Sequence, residues 1–503
     1  PFRELWDSIF DHLLMYLTFD IGTTALKTAL VSPDGRVLSV HTSEYAPTTP
    51  RPDWMEMPPE SYWLSAVEGT CAVLRESGSD ASDLKAIGFS SQGQTFIPID
   101  RNGKTLHDAI VWVDNRAQEI ADEWAQEWLS REEYQRISGY PWIPAGLTVF
   151  KVAWLARHAP EAHRAWKFLC LPDYLIYRLT GETATDHVTA RMSGFFNLQT
   201  NDWEPRLVAA GGITREQLPT VLAPGEIAGY VHTRASQELG IPVGIPVCVG
   251  ANDQLVSAIG ANNVKASIIT ETTGTALAVI ATTNNLLDDN RICVGRHAVP
   301  DKFYAMTFAI TSAIVLKWFR DLCAPGERYD SFIKGVGNIP PGCDGLTVLP
   351  HFAGTGSPTF NPNARGAFVG LSLQHTRSHI SRAIMESCAC MLQECLDPIR
   401  EHGVEADCVR SLGGAARSDV WLQMKADLLG LPVERPRCSD AASLGAAMLA
   451  ATGTGQFPSI VHVSETWYRP SQWFEPDPQK YPVYREVYAR YRECYSKLYG
   501  IDP

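Results

Sequence analysis

The stretch FDIGTTALKTALV, residues 19–31, consists of two short apolar runs joined by Ile-Gly-Thr-Thr. With YLT before it and RVLSV after it, the alternation of side chains predicts three antiparallel strands joined by two turns. A strand that ends in Asp20 and turns through Gly22, Thr23 and Thr24 can offer N–H groups and hydroxyls to a phosphate, and a carboxylate to a metal ion. An ordinary hairpin turn is the alternative, since Gly-Thr is common in hairpins.

The stretch SIITETTGTALAVIATT, residues 267–283, repeats this pattern, with Gly274 and Thr275 in the places of Gly22 and Thr23. The two copies lie about 250 residues apart, and an internal repeat on that scale predicts two related domains. A third glycine-rich turn, in LGGAARS at 412–418, joins a predicted strand to a predicted helix, where bare backbone lets a nucleotide approach. Together these turns predict a nucleotide site in which two hairpins grip a polyphosphate.

The composition limits the classes of protein to which this chain can belong. Its 503 residues are too many for a single core, and 45% hydrophobic with 20% charged residues is the balance of a soluble globular protein. The formal charge of -13 disfavours nucleic acid and anionic membranes as partners, and no apolar run reaches the ~20 residues of a membrane-spanning helix. The 12 cysteines lack zinc-ligand or disulfide-framework spacing, so we expect reduced thiols and a cytoplasmic protein.

Strand and helix signals alternate along the rest of the chain. A strand is expected at 83–92, and 245–260 is expected to form a strand that leads into a helix. Residues 1–14 have helical apolar spacing and are either a docking helix or a remnant before a natural start at Met15. Further helices are expected within 117–137, 148–166, 379–403, 408–430 and 439–455. A C-terminal helix packed on its domain is predicted by the spacing of Tyr484, Tyr488, Tyr491, Tyr495 and Tyr499.

Asp253, in VGANDQLVSAIG, lies where an apolar strand run turns into a helix. A helix N-cap is the simpler interpretation, because aspartate caps helices well. Beside phosphate-binding turns, the same carboxylate predicts a general base that takes the proton of a substrate hydroxyl as it attacks a γ-phosphate, with Mg²⁺ offsetting the phosphate charge. We favour the base because of those neighbouring turns.

Several segments in a fixed order resemble the FGGY family of carbohydrate kinases: FDIGTT, SSQGQ, IVWVDNRA, LPDYLIYRLTGETATD, GANDQ, TTGT, ARGAFVGLSLQHTRSHISRAIMES and LGGAARSDVWLQMKADLLGLPV. The resemblance implies an α/β fold of two actin-like (ribonuclease H-like) domains with an ATP and sugar cleft between them. Its N-terminal domain would be 15–260, with the sugar, the first hairpin and the base. Its C-terminal domain would be 261–503, with the second hairpin and the adenosine, and residues 1–14 would be an extension.

The resemblance also implies roles for individual residues. Asp253 matches the catalytic base, and Asp20 matches the acid associated with the metal ion, with Asp253 close to that ion. The implied substrate-binding residues are Gln92, Gly93, Gln94, Trp112, Asp114, Arg116, Asp253 and Gln254. The implied ATP-binding residues are Gly22, Thr23, Thr24, Lys27, Gly274, Thr275, Ala313, Lys317, Gly413, Gly414 and Ser418.

Alternatives remain for the sugar site. Asp114 and Arg116 would serve equally well as a pair that braces a loop, with Trp112 in the core. Sugar pockets use aromatic faces with a few polar groups, so Tyr140 and Trp142 are lesser candidates.

The positions that would read the sugar differ from those of the best-known members. Xylulose kinases look like Gln-Met-His-Gly there and glycerol kinases like Gln-Arg-Glu-Thr, whereas this chain has Gln-Gly-Gln-Thr at 92–95. A neutral amide both donates to and accepts from sugar hydroxyls, and glycine leaves room beside it. On the nucleotide side, Ala313 stands where members often have glycine, and GTGSP replaces a Gly-Glu-Arg-Thr-Pro segment.

The sequence therefore predicts a kinase that uses ATP and Mg²⁺ to phosphorylate a primary hydroxyl of a small neutral sugar, most simply a ketopentose of the xylulose or ribulose type. A polyol or another ketose, such as erythritol, a pentitol or glycerol, is the alternative substrate class. Alternatives of other classes are an actin-fold ATPase acting on a protein partner and a sugar-binding regulator without turnover. The sugar-kinase segments speak against the first, and Asp253 speaks against the second. For the oligomeric state, a homodimer is the candidate.

Overall fold

The computed structural model describes residues 14–500, which form two compact units. The first unit holds the described residues up to Val264 together with two later segments, Gly295–Lys302 and Asp440–Tyr468. The second unit holds Lys265–Val294, Phe303–Ser439 and the described residues from Arg469 onward. A division of the chain near residue 260 therefore leaves out two segments that return to the first unit. The helix expected within residues 1–14 lies outside the described residues, apart from Leu14.

The strands and helices follow one another along the whole described chain. The strands are β1 (Met15–Ile21), β2 (Ala25–Val31), β3 (Val37–Glu44), β4 (Glu56–Met57), β5 (Leu84–Ser91), β6 (Phe96–Ile99), β7 (Ala109–Ile110), β8 (Lys167–Cys170), β9 (Ala184–Asp186), β10 (Phe196–Asn197), β11 (Asp202–Trp203), β12 (Thr220–Leu222), β13 (Ile227–Tyr230), β14 (Pro246–Cys248), β15 (Ala251–Asn252), β16 (Ile268–Thr273), β17 (Leu277–Thr283), β18 (Cys293–Arg296), β19 (Phe303–Ala309), β20 (Thr347–Leu349), β21 (Ala367–Val369), β22 (Cys408–Leu412), β23 (Val433–Pro436) and β24 (Pro470–Phe474). The α-helices are α1 (Pro59–Ser77), α2 (Gln118–Glu127), α3 (Arg131–Ser138), α4 (Thr148–His158), α5 (Pro160–His163), α6 (Leu171–Thr180), α7 (His187–Met192), α8 (Pro205–Ala210), α9 (Thr233–Leu239), α10 (Asp253–Gly260), α11 (Ala313–Cys323), α12 (Tyr329–Phe332), α13 (Arg377–Glu401), α14 (Asp419–Leu429), α15 (Ala441–Gly453), α16 (Ile460–Trp467) and α17 (Tyr481–Tyr499).

The central sheet of the first unit has the strand order β13-β14-β5-β1-β2-β3, with β15 paired to β5. Strands β1, β2 and β3 form the antiparallel meander that the sequence predicts, and Asp20 lies opposite Lys27. Strand β5 runs parallel to β1, so that Asp20 also lies opposite Ser90. Helix α15 packs on β5 at a close approach, since a Cβ at Gly88 would lie 2.4 Å from the carbonyl oxygen of Ala446.

The central sheet of the second unit has the order β18-β19-β17-β16-β22-β23-β24. Its core repeats the first sheet: β16 and β17 form an antiparallel hairpin, β22 runs parallel to β16, β23 runs parallel to β22, and β24 is antiparallel to β23. The same sequence of pairings leads from β2 and β1 through β5 and β14 to β13. The internal repeat of the sequence is therefore a repeat of topology.

Two expected helices are interrupted in the structure. Within 117–137, helix α3 begins anew because the Ser130 side chain accepts a hydrogen bond from the N–H of Glu133, which caps its first turn. Within 148–166, helix α4 ends before Pro160, which has no N–H for a helical hydrogen bond.

The C-terminal helix agrees with the sequence. Helix α17 buries Tyr484, Tyr488, Tyr491 and Tyr495 on the predicted face, whereas Tyr499 in its last turn is only partly buried. Within residues 14–500, no helix has both the length and the apolar character needed to cross a membrane.

Candidate active site

The first predicted phosphate turn joins β1 to β2 and is held by hydrogen bonds on both sides. The N–H of Gly22 donates to the carbonyl of Ala25 at 2.9 Å, which closes the turn. The carbonyl of Gly22 accepts from the Tyr45 hydroxyl at 2.6 Å and from Nε2 of Gln92 at 3.0 Å. Thr24 is exposed at the tip. The turn is thus a rigid hairpin whose outer face can receive a ligand.

The side chain of Gln92 contacts the first hairpin. Its Nε2 donates to the hairpin, and its Oε1 accepts from the hydroxyl of Thr23 at 3.3 Å. Both ends of this buried amide are therefore engaged with the turn at Gly22 and Thr23. In this structure Gln92 supports the first hairpin, and its contact with the sugar stays a prediction.

Two carboxylates lie together at the ends of the strands β1 and β15. Asp20 accepts a hydrogen bond from the hydroxyl of Ser90 at 2.7 Å, and burial raises its pKa. Strand β15 pairs with the end of β5, which places Asp253 in the next position along the chain, beside Asp20. Burial, reinforced by the negative charge of Asp20, raises the pKa of Asp253 to about 7. A carboxyl with that pKa can accept and release a proton near neutral pH.

Asp253 is not the residue that caps its helix. The N-cap of α10 is Asn252, whose side-chain oxygen accepts from the N–H of Gln254 at 3.2 Å. Asp253 occupies the first helical position, where its Oδ1 also accepts from Gln254 at 2.8 Å. Asn252, and not Asp253, is therefore the N-cap residue. One carboxylate oxygen of Asp253 lies at the helix N-terminus, which favours negative charge.

Gly93 and Gln94 are part of a neutral wall next to Asn252. A Cβ at Gly93 would lie 3.2 Å from Met192 and 3.5 Å from the side-chain nitrogen of Asn252. Gln94 has a φ of 60°, and its Nε2 donates to the hydroxyl of Tyr140 at 3.0 Å. The Tyr140 hydroxyl donates in turn to the sulfur of Met192 at 3.1 Å. Oε1 is the amide atom of Gln94 that this arrangement leaves for a ligand.

Tyr140 separates that wall from a buried cation. The guanidinium of Arg191 lies 3.8 Å from the centre of the Tyr140 ring, and Arg191 is 1% exposed. Trp142 packs edge-on against Tyr140 with ring centres 5.9 Å apart. The positive charge of Arg191 therefore lies behind an aromatic ring.

In the WVDNR segment, Trp112 and Asn115 are exposed, whereas Asp114 and Arg116 are buried. Trp112 is 42% exposed. Asp114 is fully buried and forms a double hydrogen bond with the guanidinium of Arg116, at 2.9 and 2.8 Å. Arg116 also pairs with Glu56 at 2.8 Å and stacks on Trp54 at 4.0 Å. The Asp-Arg pair braces the loop, and Trp112 is the exposed aromatic side chain of this segment.

The second unit contains a cavity of about 1040 Å³ around the other two glycine-rich turns. Six of the residues predicted to bind ATP line it, namely Gly274, Thr275, Ala313, Lys317, Gly414 and Ser418. Its basic side chains are Lys317, Arg320, Arg328, Lys334 and Arg417, and its acidic side chains are Glu327, Asp330 and Asp419. The size is close to the upper end of the range for sites of small molecules and cofactors, about 300–1,000 Å³. Positive charge on the wall suits a polyphosphate.

The remaining predicted ATP residues lie close to these turns or to the first hairpin. Gly413 has a φ of 79°, and a Cβ there would lie 2.9 Å from the carbonyl oxygen of Thr273, so only glycine fits the close approach of the turn to β16. Lys27 lies on β2 with its Nζ 3.6 Å from a carboxylate oxygen of Asp440, in the first unit.

A buried ion pair under the second hairpin was not found from the sequence. The Nζ of Lys425 lies 2.5 Å from Oε1 of Glu271, 2.9 Å from the hydroxyl of Thr273 and 3.4 Å from that of Ser411. Both charged side chains are fully buried. Thr273 precedes the turn at Gly274, and Ser411 precedes the LGG turn, so this cluster joins the two turns from below.

The donor set for a metal ion consists of few protein ligands. Within residues 14–500, no group of three or more His, Cys, Asp or Glu side chains is arranged to hold a metal ion. The carboxylates near the first hairpin include Asp20, Asp253 and Asp440, and Asp440 lies beside Lys27.

Two β-sheets of the same strand order, each with a Gly-Thr hairpin beside its first parallel strand, define an α/β protein of the actin-like, two-domain class. The model of the FGGY family of carbohydrate kinases, N-terminal domain, matches residues 15–260, and that of the C-terminal domain matches residues 267–454. The chain belongs to this family. It is therefore a sugar phosphotransferase, and the family implies ATP as the phosphoryl donor.

Known relatives differ in substrate. The chain is 27% identical to a xylulose kinase of Bacillus subtilis over 484 residues, which cover 95% of this chain and 96% of the relative. It is 30% identical to a gluconokinase of the same organism over 469 residues, 89% of each chain. The crystal structure of a xylulose kinase from Rhodospirillum rubrum superimposes with a TM-score of 0.89 at 27% identity, covering 97% of this chain and 99% of that one.

Proposed function

We propose that this protein is an ATP-dependent kinase that phosphorylates a primary hydroxyl of a small neutral ketose, most simply a ketopentose of the xylulose or ribulose type. The observation that carries the proposal is the position of Asp253, whose raised pKa suits a base, beside Asp20 and directly after Asn252, the residue that adjoins Gly93. Asp253 would take the proton of the attacking hydroxyl, which makes the oxygen a better nucleophile toward the γ-phosphorus.

Asp20, with Asp253 beside it, would hold Mg²⁺, and the bound ion would neutralise charge on the phosphates. The pair fits such an ion because the repulsion between two neighbouring carboxylates, which contributes to the raised pKa of Asp253, is relieved by a cation. Mg²⁺ commonly uses one or two carboxylates and completes its shell with substrate phosphates and water.

The chain's own residues would bind the two substrates in separate ways. The cavity beside Gly274, Thr275 and Gly414 would receive the nucleotide. The sugar would lie against the exposed Trp112 and the neutral wall, with Gln254 next to the base. Orientation of the hydroxyl toward Asp253 supplies much of the rate advantage in such a transfer, because little covalent chemistry falls to the protein.

The Gln94 wall favours a hydroxyl over a carboxylate. Because Nε2 of Gln94 donates to Tyr140, the oxygen Oε1 would contact the ligand, and an amide oxygen accepts from a sugar hydroxyl but repels a carboxylate. The nearby cation, Arg191, is buried behind the Tyr140 ring. These contacts support a neutral ketose or polyol as the substrate.

Gluconate is a second candidate substrate, because the relative with 30% identity is a gluconokinase. Erythritol, a pentitol and glycerol remain alternatives within the neutral class. The orientation of the Gln94 amide is the feature that favours these neutral substrates over gluconate, which carries a carboxylate.

A panel of acceptors tests the proposal. ADP release with Mg-ATP would be measured for xylulose, ribulose, erythritol, xylitol, glycerol and gluconate, and the product would be identified by ³¹P NMR. We expect a ketopentose to give the highest kcat/KM and Asp253→Asn to abolish the transfer, while the exposed control Asp122→Asn remains active. Gluconate as the best acceptor would refute the neutral-substrate proposal. ATP hydrolysis that ignores every acceptor would refute the kinase.

A further inference from the structure

The indole of Trp112 is hydrogen-bonded to the first phosphate hairpin. Its Nε1 donates to the hydroxyl oxygen of Thr23 at 2.9 Å. The backbone N–H of Trp112 donates to the hydroxyl of Thr95 at 3.0 Å, and this contact fixes the backbone from which the indole projects. One side chain of the sugar wall is thus joined directly to one hydroxyl of the hairpin, within a single compact unit.

This contact determines the direction in which the Thr23 hydroxyl can donate. A hydroxyl has one proton and two lone pairs, and the indole N–H takes one lone pair. The proton must then point away from Trp112, and it points to Oε1 of Gln92 at 3.3 Å, a long hydrogen bond. A charged phosphate oxygen would compete well for that proton, because hydrogen bonds to ionised acceptors are about twice as strong as neutral ones.

We propose that Trp112 is a positioning residue that aims the Thr23 hydroxyl at the phosphate and thereby links the sugar site to the phosphate site. The inference rests on the proposed function, in which sugar lies against Trp112 and phosphate against the hairpin. When nucleotide binds, the Thr23 proton transfers its hydrogen bond from Gln92 to a phosphate oxygen, while the indole continues to donate to the Thr23 oxygen. No covalent bond changes.

The indole contributes in two ways. Donation to the Thr23 oxygen polarises its O–H bond and strengthens its own donation, since hydrogen bonds in a chain reinforce one another. A sugar that packs on the indole also restricts its motion, and with it the direction of the Thr23 hydroxyl. Bound sugar should therefore tighten nucleotide binding through this contact.

A double-mutant cycle tests the link. Trp112→Phe removes the indole N–H and keeps an aromatic face, and Thr23→Val removes the hydroxyl at nearly constant volume. We expect each to lower kcat by about tenfold, the size of one hydrogen bond, with the sugar KM of Trp112→Phe changed less than threefold. The double variant should be about as slow as the slower single variant, because both remove the same interaction. Thr23→Ser keeps the hydroxyl and is the matched control. In a chain that carries Thr23→Ser, Trp112→Phe should still lower kcat by about tenfold.

A second readout is independent of sugar turnover. The affinity for a non-hydrolysable ATP analogue with Mg²⁺, measured by calorimetry, should fall in both single variants without an additive fall in the double variant. The gain in affinity on adding sugar should disappear in Trp112→Phe.

Three results would overturn the inference. The first is a double variant slower by the product of the two single effects. The second is a Trp112→Phe variant that changes only the sugar KM, which would make Trp112 a wall of the pocket and nothing more. The third is additive loss of nucleotide affinity. If no acceptor is phosphorylated, the proposed function fails, and the calorimetric cycle still decides whether Trp112 and Thr23 act together.

Discussion

Replacement of Lys425 by methionine should destabilise the second unit strongly. In the wild-type protein the Lys425 ammonium is fully buried and lies 2.5 Å from the carboxylate of Glu271. Methionine has a similar length and no charge, so the change removes one partner of the pair with little loss of volume. The Glu271 carboxylate would remain buried with the hydroxyls of Thr273 and Ser411 as its donors. An uncompensated buried charge of this kind costs about 3–5 kcal/mol of unfolding free energy.

The assay is urea unfolding followed by tryptophan fluorescence and circular dichroism, with three chains compared. Lys425→Met should lose about 3–5 kcal/mol. The double variant Lys425→Met with Glu271→Leu removes both charges, and we expect it to recover to within about 1 kcal/mol of wild type or to exceed it. The exposed control Lys317→Met has no buried partner to lose, and its unfolding free energy should be almost unchanged.

The same variants report on the nucleotide turns. Because the cluster joins Thr273, beside the second hairpin, to Ser411, beside the LGG turn, the double variant should raise the KM for ATP even where its stability is recovered. The reasoning would be refuted by a Lys425→Met variant within 1 kcal/mol of wild type. A double variant as unstable as the single one would refute it equally.

Three further outcomes are expected. Asp253→Asn should lower kcat by at least about a hundredfold while calorimetry still detects sugar and nucleotide, because it removes the base and keeps the shape; retained turnover would exclude Asp253 as the base. Burial raises the pKa of Glu394 from 4.5 to about 8, so between these pH values the native state keeps a proton that the unfolded state loses. The unfolding free energy should therefore fall by about 1.4 kcal/mol per pH unit as the pH rises from 4.5 to about 8. Glu394→Gln should lack this decline in denaturation series at successive pH values, and an unchanged slope would contradict the assignment. Gly445→Ala should destabilise the first unit by roughly 1–3 kcal/mol or more, since its Cβ would lie 2.0 Å from the Val256 carbonyl oxygen, whereas Gly414→Ala meets no atom and should unfold as wild type does.

Local patterns predicted the elements that carry the proposed chemistry. The two Gly-Thr turns, the strand that ends in Asp20 and the start of a helix at Asp253 are each visible within a few residues, because turn chemistry and strand alternation are local. The repeat of the hairpin also indicated two related domains, which the strand orders confirm.

These local patterns do not predict contacts between residues that are far apart in the sequence. Lys425 lies 154 residues from its partner Glu271, and no local signal distinguishes a helical lysine that will be fully buried. The hydrogen bond from Gln92 to the carbonyl of Gly22, 70 residues earlier in the chain, is likewise invisible in the strand-end motif that contains Gln92. The burial of Asp114 likewise depends on Trp54 and Trp154 around Arg116.

The return of Asp440–Tyr468 to the first unit has a consequence for biosynthesis. Helix α15 covers β1 and β5, yet it is translated about 180 residues after Val264, which takes roughly 10–40 seconds at common elongation rates. During that interval the nascent first unit exposes apolar strands, so a chaperone that holds it would prevent aggregation. A stop codon placed anywhere before Tyr468 would remove part of this unit, and a truncated gene product should be degraded rather than accumulate as a folded half.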